Sequence, residues 1–330
     1  MILPRTKMMP VPKVQGTTSS RLIDAVLELV QSDSAPYITL SRLWNVEDNS
    51  PIYFDRESAS ILPPLCLLAH VGIGQGVWEL LKKGADANTE GGQDGNALQA
   101  AAKRGHTNIV HYLLDHGADL HAQGGEQGNA LSAASYGGHT NTARLLLERG
   151  TDVNAQGGLH GNALSAASWR GHTETVQLLL EHGADVHAQG GPFGNVLSAA
   201  SWGGYNETVH LLLEQGADVH TQGGHYGNVL QAACSGGSTA IVQLLFEQGA
   251  DVNAQGGFYG NALQAASGNG AKEIVQLLLE QGADVNAQGG HHGNALQAAT
   301  DTEIEALLLA HGAVPNQRAE SSAPYMICVS

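Results

Sequence analysis

The residues best equipped for chemistry in this chain are its 16 histidines, and several of them recur in register. His121, His187 and His220 form one row and His106, His139 and His172 another, with successive members separated by one constant interval or by twice that interval. Imidazole nitrogens are good zinc ligands, but two that share an ion each lie about 2 Å from it, whereas helical layers stack roughly 8 to 10 Å apart. One histidine per layer therefore cannot build a metal centre. The His106 row, in which each member follows a glycine, is expected to bond backbone in a turn. His291 and His292 are loop neighbours with no third ligand in view. No metal and no cofactor are expected.

Nucleophile and carboxylate arrangements fail in the same way. Ser135, Ser168 and Ser201 recur at the same interval, each after an alanine pair, which places them between stacked helices as packing residues. Asp86, Asp119, Asp152, Asp185, Asp218, Asp251 and Asp284 recur too regularly to be one site and read as backbone-bonding residues of a turn. Gly72, Gly74 and Gly76 make a GxGxG run with no preceding strand and no Lys-Ser/Thr after it, so it is no phosphate loop, and the sequence holds no GxxxxGK[ST]. Cys66, Cys234 and Cys328 are far apart, odd in number and without metal spacing, which suits a reducing compartment rather than a disulfide framework. Cys328 is one residue short of a prenylation box. The chain is expected not to be an enzyme.

What these rows share is their period. The element GN[AV]L starts at Gly95, Gly128, Gly161, Gly194, Gly227, Gly260 and Gly293, and its unvarying interval of about 33 residues is the signature of a stacked array. Within one copy, Asn261 caps a short helix with Gln264 three residues on. Small Ala265, Ala266 and Ser267 allow close helix approach, and Gly268, Asn269 and Gly270 break the helix. A second helix over 272–281 carries Ile274, Val275, Leu277, Leu278 and Leu279 at helical spacing and ends at Gly282 in the left-handed conformation. The polar, Gly-rich stretch ADVNAQGGHHG turns the chain back.

These residues resemble the ankyrin repeat. Asn96, Ala97, Leu98 and Gln99 stand where that family has T-P-L-H, Ala101 and Ala102 are its alanine pair, and Gly105 and His106 its G-H. The Pro and His of T-P-L-H are missing from the full copies, and a Gly pair such as Gly124 and Gly125 sits early in the hairpin, so a different turn geometry is expected. The resemblance implies an all-α ankyrin-repeat solenoid of helix-turn-helix units joined by β-hairpin-like loops. The dialect GADVNAQGG…GNALQAAS is similar to the ankyrin arrays of filamentous fungi, often C-terminal to a NACHT-type NTPase module. It implies a protein-binding scaffold or adaptor or, alternatively, the sensor portion of such a receptor or an accessory protein of a biosynthetic assembly.

Four segments are expected. Residues 1–20 read as a flexible tail without the apolar core of a signal peptide. Residues 21–62 read as a helical cap, with an amphipathic helix over 21–31 and a weaker apolar run from Tyr37 to Trp44. Residues 63–314 hold eight repeats with degenerate first and last copies, and 315–330 form a second tail. In the first copy Gly74 and Gly76 should weaken the second helix, and the last copy is shortened in the inter-helix turn. No apolar stretch reaches the length of a membrane span. Lys plus Arg number 15 against 31 Asp plus Glu, and the net charge of -16 would repel nucleic acid.

A repeat that must stack keeps its packing positions and varies its exposed ones. Two positions vary: after the small pair, Lys103 with Arg104, Tyr136, Trp169 with Arg170, Trp202, Ser235 and Gly268; in the hairpin, Asp94, Gln127, His160, Phe193, Tyr226, Tyr259 and His292. By resemblance these are the concave face and the finger tips. Lys103, Arg104, Tyr136, Trp169, Arg170, Phe193, Trp202, Tyr226 and Tyr259 are the expected partner-binding residues, as Trp, Tyr and Arg favour interface hot spots. Neighbours on the stripe should lie roughly 10 Å apart. The competing reading is that the aromatics pack on each other's hairpins and lock the stack. A monomeric protein of the cytoplasm, or of the nucleus, binding a protein partner is expected.

Overall fold

Each brick begins on an asparagine. The Oδ1 atoms of Asn96, Asn129, Asn162, Asn195, Asn228, Asn261 and Asn294 each accept a hydrogen bond from the backbone N–H three residues on, at 2.7 to 2.9 Å. Only the Asn96–Gln99 pair completes a reciprocal capping box, with the Asn96 N–H donating to Gln99 Oε1. The computed structural model of the chain describes residues 63–315 and, before them, an antiparallel pair of Trp44–Asn45 with Ser50–Pro51. The expected tails and the helix over 21–31 lie outside the described residues, as does most of the segment 21–62.

Among the described residues 16 helices make eight antiparallel pairs. The inner helices are Pro64–Val71, Ala97–Arg104, Ala130–Tyr136, Ala163–Arg170, Val196–Trp202, Val229–Gly236, Ala262–Gly268 and Ala295–Ala298. The outer ones are Gly74–Lys82, Thr107–Asp115, Thr140–Glu148, Thr173–Glu181, Asn206–Glu214, Thr239–Glu247, Lys272–Glu280 and Thr302–Ala310. Inner helices stack on inner and outer on outer, in chain order. The apolar stripes of the outer helices are what this stacking buries: Leu113, Leu146, Leu179, Leu212, Leu245 and Leu278 are fully buried, each worth about 1.5 to 3 kcal/mol of transfer. Gly282 takes φ +85° after the seventh outer helix, satisfying its last carbonyls.

The end copies depart from the pattern. Gly74 and Gly76 do not shorten their helix, which at 9 residues matches the other outer helices. Gly76 is buried, and a Cβ there would stand 3.0 Å from Leu68 Cδ1, so its smallness serves close approach of the two helices. In the last copy the shortened turn leaves an inner helix of only 4 residues, and Asp301 caps the outer helix.

The hairpins explain the early glycine pair. Gln189–Gly190 pairs with Gly194–Asn195 and Gln222–Gly223 with Gly227–Asn228, and single bridges such as Gly124 with Gly128 repeat the geometry. A Cβ at Gly158 or Gly224 would strike the backbone of the hairpin before it. Glycine at these left-handed positions lets successive hairpins touch backbone to backbone. Their tips bond across repeats: Glu126 N–H to Gln93 O, Leu159 N–H to Glu126 O, His225 N–H to Pro192 O, Phe258 N–H to His225 O and His291 N–H to Phe258 O, at 2.7 to 2.8 Å. Pro192, having no N–H, interrupts the row at Leu159.

Candidate interaction groove

The two variable rows meet. The end of each inner helix and the hairpin residue that leads into it, or into the next one, lie side by side along one face. At the N-terminal end the floor is charged. Lys103 Nζ lies 2.6 Å from Asp94 Oδ1 and 3.6 Å from Glu126 Oε2, His70 Nδ1 lies 2.7 Å from Asp94 Oδ2, and an Arg104 guanidinium N–H donates to His70 Nε2 at 2.9 Å. Burial works to raise the Asp94 pKa, but the bonds from His70 and Lys103 outweigh it and hold the carboxyl at about 2. Burial, with the nearby Asp94, pushes the Cys66 thiol up to about 11, which removes it as a nucleophile near neutral pH.

Rings then take over. Tyr136 stacks on His160 at 5.3 Å between centroids and on Trp169 at 5.7 Å, and His160 on Trp169 at 4.5 Å. Phe193 stands between Trp169 (6.1 Å) and Trp202 (5.4 Å) and lies parallel to Tyr226 at 5.8 Å. The row runs on through Tyr226–Tyr259 at 6.3 Å and Tyr259–His292 at 6.1 Å. The Arg170 guanidinium carbon sits 5.1 Å from the Tyr136 ring centre and 5.7 Å from that of Trp169. Burial, then the charge of Arg170, lowers the pKa of His160, so the stack holds a neutral imidazole near pH 7.

The arrangement differs from the expected stripe in two ways. Hairpin rings wedge between helix rings, so neighbours are at stacking distance instead of the roughly 10 Å that separates helical layers. Phe193 is also no finger tip: it is 9% exposed, and Gln127 in the same register is buried as well. Side chains alternate in an extended hairpin, and the outward position is one residue earlier, where Leu159 is 60% and Phe258 38% exposed. That row, Gln93, Glu126, Leu159, Pro192, His225, Phe258 and His291, also varies from copy to copy, a signal open to sequence reading but not taken up there. Its last three members form a second stack, with His225–Phe258 at 4.9 Å and Phe258–His291 at 4.7 Å.

Comparison with known families settles the lineage. The family described as "Ankyrin repeats (3 copies)" matches residues 65–157, 121–190, 196–289 and 229–319. The chain belongs to the ankyrin-repeat family. Among solved structures the human ASB11 ankyrin repeat domain is similar, at 26% identity and a TM-score of 0.57, over 66% of this chain and 98% of that one. No curated protein matches the chain by sequence. Ankyrin arrays are in general protein-interaction scaffolds without catalysis.

Within this ankyrin array, serine and aspartate rows stay structural. Ser135, Ser168 and Ser201 are fully buried. Asp119 and Asp185 each accept through Oδ1 from the N–H of the residue two on, at 2.9 Å. His106, His139 and His172 reach the backbone of the preceding repeat, with Nε2 at 3.1 to 3.3 Å from the carbonyls of His70, Lys103 and Tyr136. Among the described residues no three His, Cys, Asp or Glu side chains gather as metal ligands, and no helix is long and apolar enough to cross a membrane.

The third residue of each inner helix after the first is either glutamine or serine. Gln99 Nε2 donates to Ala122 O at 3.2 Å and Gly128 O at 3.1 Å, and Gln231 reaches Ala254 O and Gly260 O, so each glutamine ties its helix to the next hairpin. Ser132, Ser165 and Ser198 occupy that position in the third to fifth repeats and are too short to do so. One helical turn after each of these serines comes Tyr136, Trp169 or Trp202. These helix-end rings meet the hairpin rings His160, Phe193 and Tyr226.

Proposed function

We propose that this array is a non-catalytic scaffold or adaptor that binds a protein partner along the groove floored by Lys103, Arg104, Tyr136, Trp169, Arg170, Phe193, Trp202, Tyr226 and Tyr259. The observation that carries this is continuity: all nine residues belong to one unbroken row of ion pairs, cation–π contacts and ring stacks across the second to sixth repeats. A preformed, rigid floor with aromatic and arginine side chains loses little entropy on binding and has the composition of interface hot spots. An elongated surface of this kind suits a protein better than a small molecule. The protein acts as a monomer in the cytoplasm or nucleus. Its dialect of the repeat also fits a second reading, the sensor part of a NACHT-type receptor, which an in-frame P-loop upstream of Met1 in the coding DNA would favour.

The test must separate binding from stacking. Arg104 and Arg170 are exposed, so Arg104→Glu with Arg170→Glu should leave the fold intact while reversing the charge of the groove. Partners are recovered from cell extract with the intact chain and with this variant, after circular dichroism shows both folded. Loss of partners from the variant supports the groove. Equal recovery would place binding elsewhere.

A further inference from the structure

The side-chain ties that cross from one repeat to the next are unevenly spread. Three kinds recur. Asn88, Asn154, Asn253 and Asn286 each clamp the loop after the next outer helix, with Nδ2 donating to a glycine carbonyl and Oδ1 accepting from a backbone N–H. His106, His139 and His172 reach a carbonyl of the repeat before. Hydroxyls meet between successive outer helices as Thr107–Thr142, Thr140–Thr175 and Thr173–Thr208, at 2.7 to 3.0 Å. The joint between the third and fourth repeats has all three kinds. Among the described residues the joint between the fifth and sixth has none: His220 stands at the clamp position, Ser238 at the histidine position, and Asn206 with Ile241 where the threonine pair would be. Ser238 Oγ instead caps its own helix, accepting from the Ile241 N–H at 3.4 Å. A second feature stops at the same joint. A Cβ at Gly72, Gly105, Gly138 or Gly171 would strike the ring of His106, His139, His172 or Tyr205 in the next repeat, whereas at Gly204 it would meet only Ser238 Cβ at 3.9 Å. This joint is held by apolar burial around Leu212 and Leu245, by contacts of the intervening Tyr226 with Phe193, Trp202 and Ser235, and by the tip bond from Phe258 N–H to His225 O.

We propose that the array is two cooperative blocks, residues 63–227 and 228–315, hinged between the fifth and sixth repeats, and that the second block opens as a unit while the first stays folded. The stability of a stack is a sum of terms for each repeat and for each interface between neighbours. Apolar burial recurs at every joint and is non-directional, so the joints differ mainly in their directional ties, and the one without them is where cooperativity breaks and a sub-global opening begins. The second block yields first because it has three helix pairs against five, and its last inner helix has only 4 residues. The ring row crosses the hinge through Tyr226 and Tyr259, so the opening takes Tyr259 out of line with the rest of the groove. The hinge itself does not depend on what the groove binds.

The chain carries its own reporters, since Trp44, Trp78, Trp169 and Trp202 all precede the joint and no tryptophan follows it. Urea unfolding of the full chain is followed by circular dichroism, which sees both blocks, and by tryptophan emission, which sees the first. Trp202 packs on Tyr226 at the joint, so emission is read in the Trp202→Phe variant. Dichroism should fall in two steps and emission in the second alone. Native-state hydrogen exchange should show the helices of the sixth to eighth repeats opening together, at lower urea than those of the second to fifth. His220→Asn with Ser238→His, which supplies the missing clamp and ring, should bring the two midpoints together. Asn154→His, which removes one clamp from a joint that keeps its histidine and threonine ties, should create no further step. Coincident dichroism and emission curves would overturn the hinge, and so would helices that open one repeat at a time from the C-terminal end, the pattern of fraying. Two steps equally far apart in the His220→Asn, Ser238→His variant would show that these ties do not set the boundary.

Discussion

Asn154 of the third repeat holds Asp185 of the fourth. Its Oδ1 accepts from the Asp185 N–H at 2.8 Å while its Nδ2 donates to Gly183 O at 3.0 Å, so one amide clamps two backbone groups of the next loop. Asn88, Asn253 and Asn286 do the same towards the repeat that follows each of them. His121, His187 and His220 occupy that position elsewhere, and no such clamp leaves them among the described residues. The joints after the fourth and fifth repeats are thus both unclamped, and they are adjacent.

Restoring the amide there should stabilise the array. His187→Asn and His220→Asn each add two hydrogen bonds at an exposed site, worth about 0.5 to 1.5 kcal/mol apiece in net terms. Each urea midpoint should rise, and the double variant should rise by nearly the sum or more. An unchanged midpoint would mean that the clamp contributes nothing.

Stability should also fall on mild acidification. Burial, ahead of the opposing bond to carbonyl, lowers the pKa values of His106, His139 and His172. A histidine depressed in the fold costs nothing above its unfolded value of about 6.5. As pH falls through that value the unfolded chain takes up protons that the folded chain refuses, and stability is lost until the folded pKa values are passed. Melting temperature should therefore drop from pH 7 towards pH 5. Tyr205 holds the same register in the fifth repeat, so His172→Tyr should keep a ring over Gly138 and flatten part of that slope.

Glycines of similar φ should differ in their tolerance. Gly105 (φ +73°) lies under the ring of His139, whereas a Cβ at Gly117 (φ +86°) would meet nothing within 4 Å. Gly117→Ala should cost about 1 to 2 kcal/mol of backbone strain, and Gly105→Ala that amount plus displacement of the ring. Equal denaturation midpoints would show that the ring moves aside without penalty.

Position along the brick should decide the cost of truncation. Leu212→Ala removes a side chain of 0% exposure and should cost about 2 to 5 kcal/mol, while exposed Glu214→Ala should change stability by under about 0.5 kcal/mol. Chemical denaturation of both measures the difference.

The sequence by itself determined the brick and its period. The constant period, the Asn caps, the small alanine pair and the Gly after each outer helix define one brick. A brick whose apolar stripe has no partner of its own must stack on its copies. The Asp row and the His106 row could be read as backbone-bonding for the same reason, since the contacts of the first lie within a brick and those of the second recur at three successive joints.

Tertiary structure alone decided what happens between bricks. Tyr136 meets His160, Trp169 meets Phe193 and Trp202 meets Tyr226, each pair at the same sequence separation across a helix and a hairpin. That separation is set by how far one hairpin advances on the next, and the period alone does not contain it. The inward turn of Phe193 and the outward turn of Phe258 likewise depend on which face of a glycine-rich hairpin meets the helices. Neither glycine, with its open conformational choice, nor the ring beside it announces that face in the sequence.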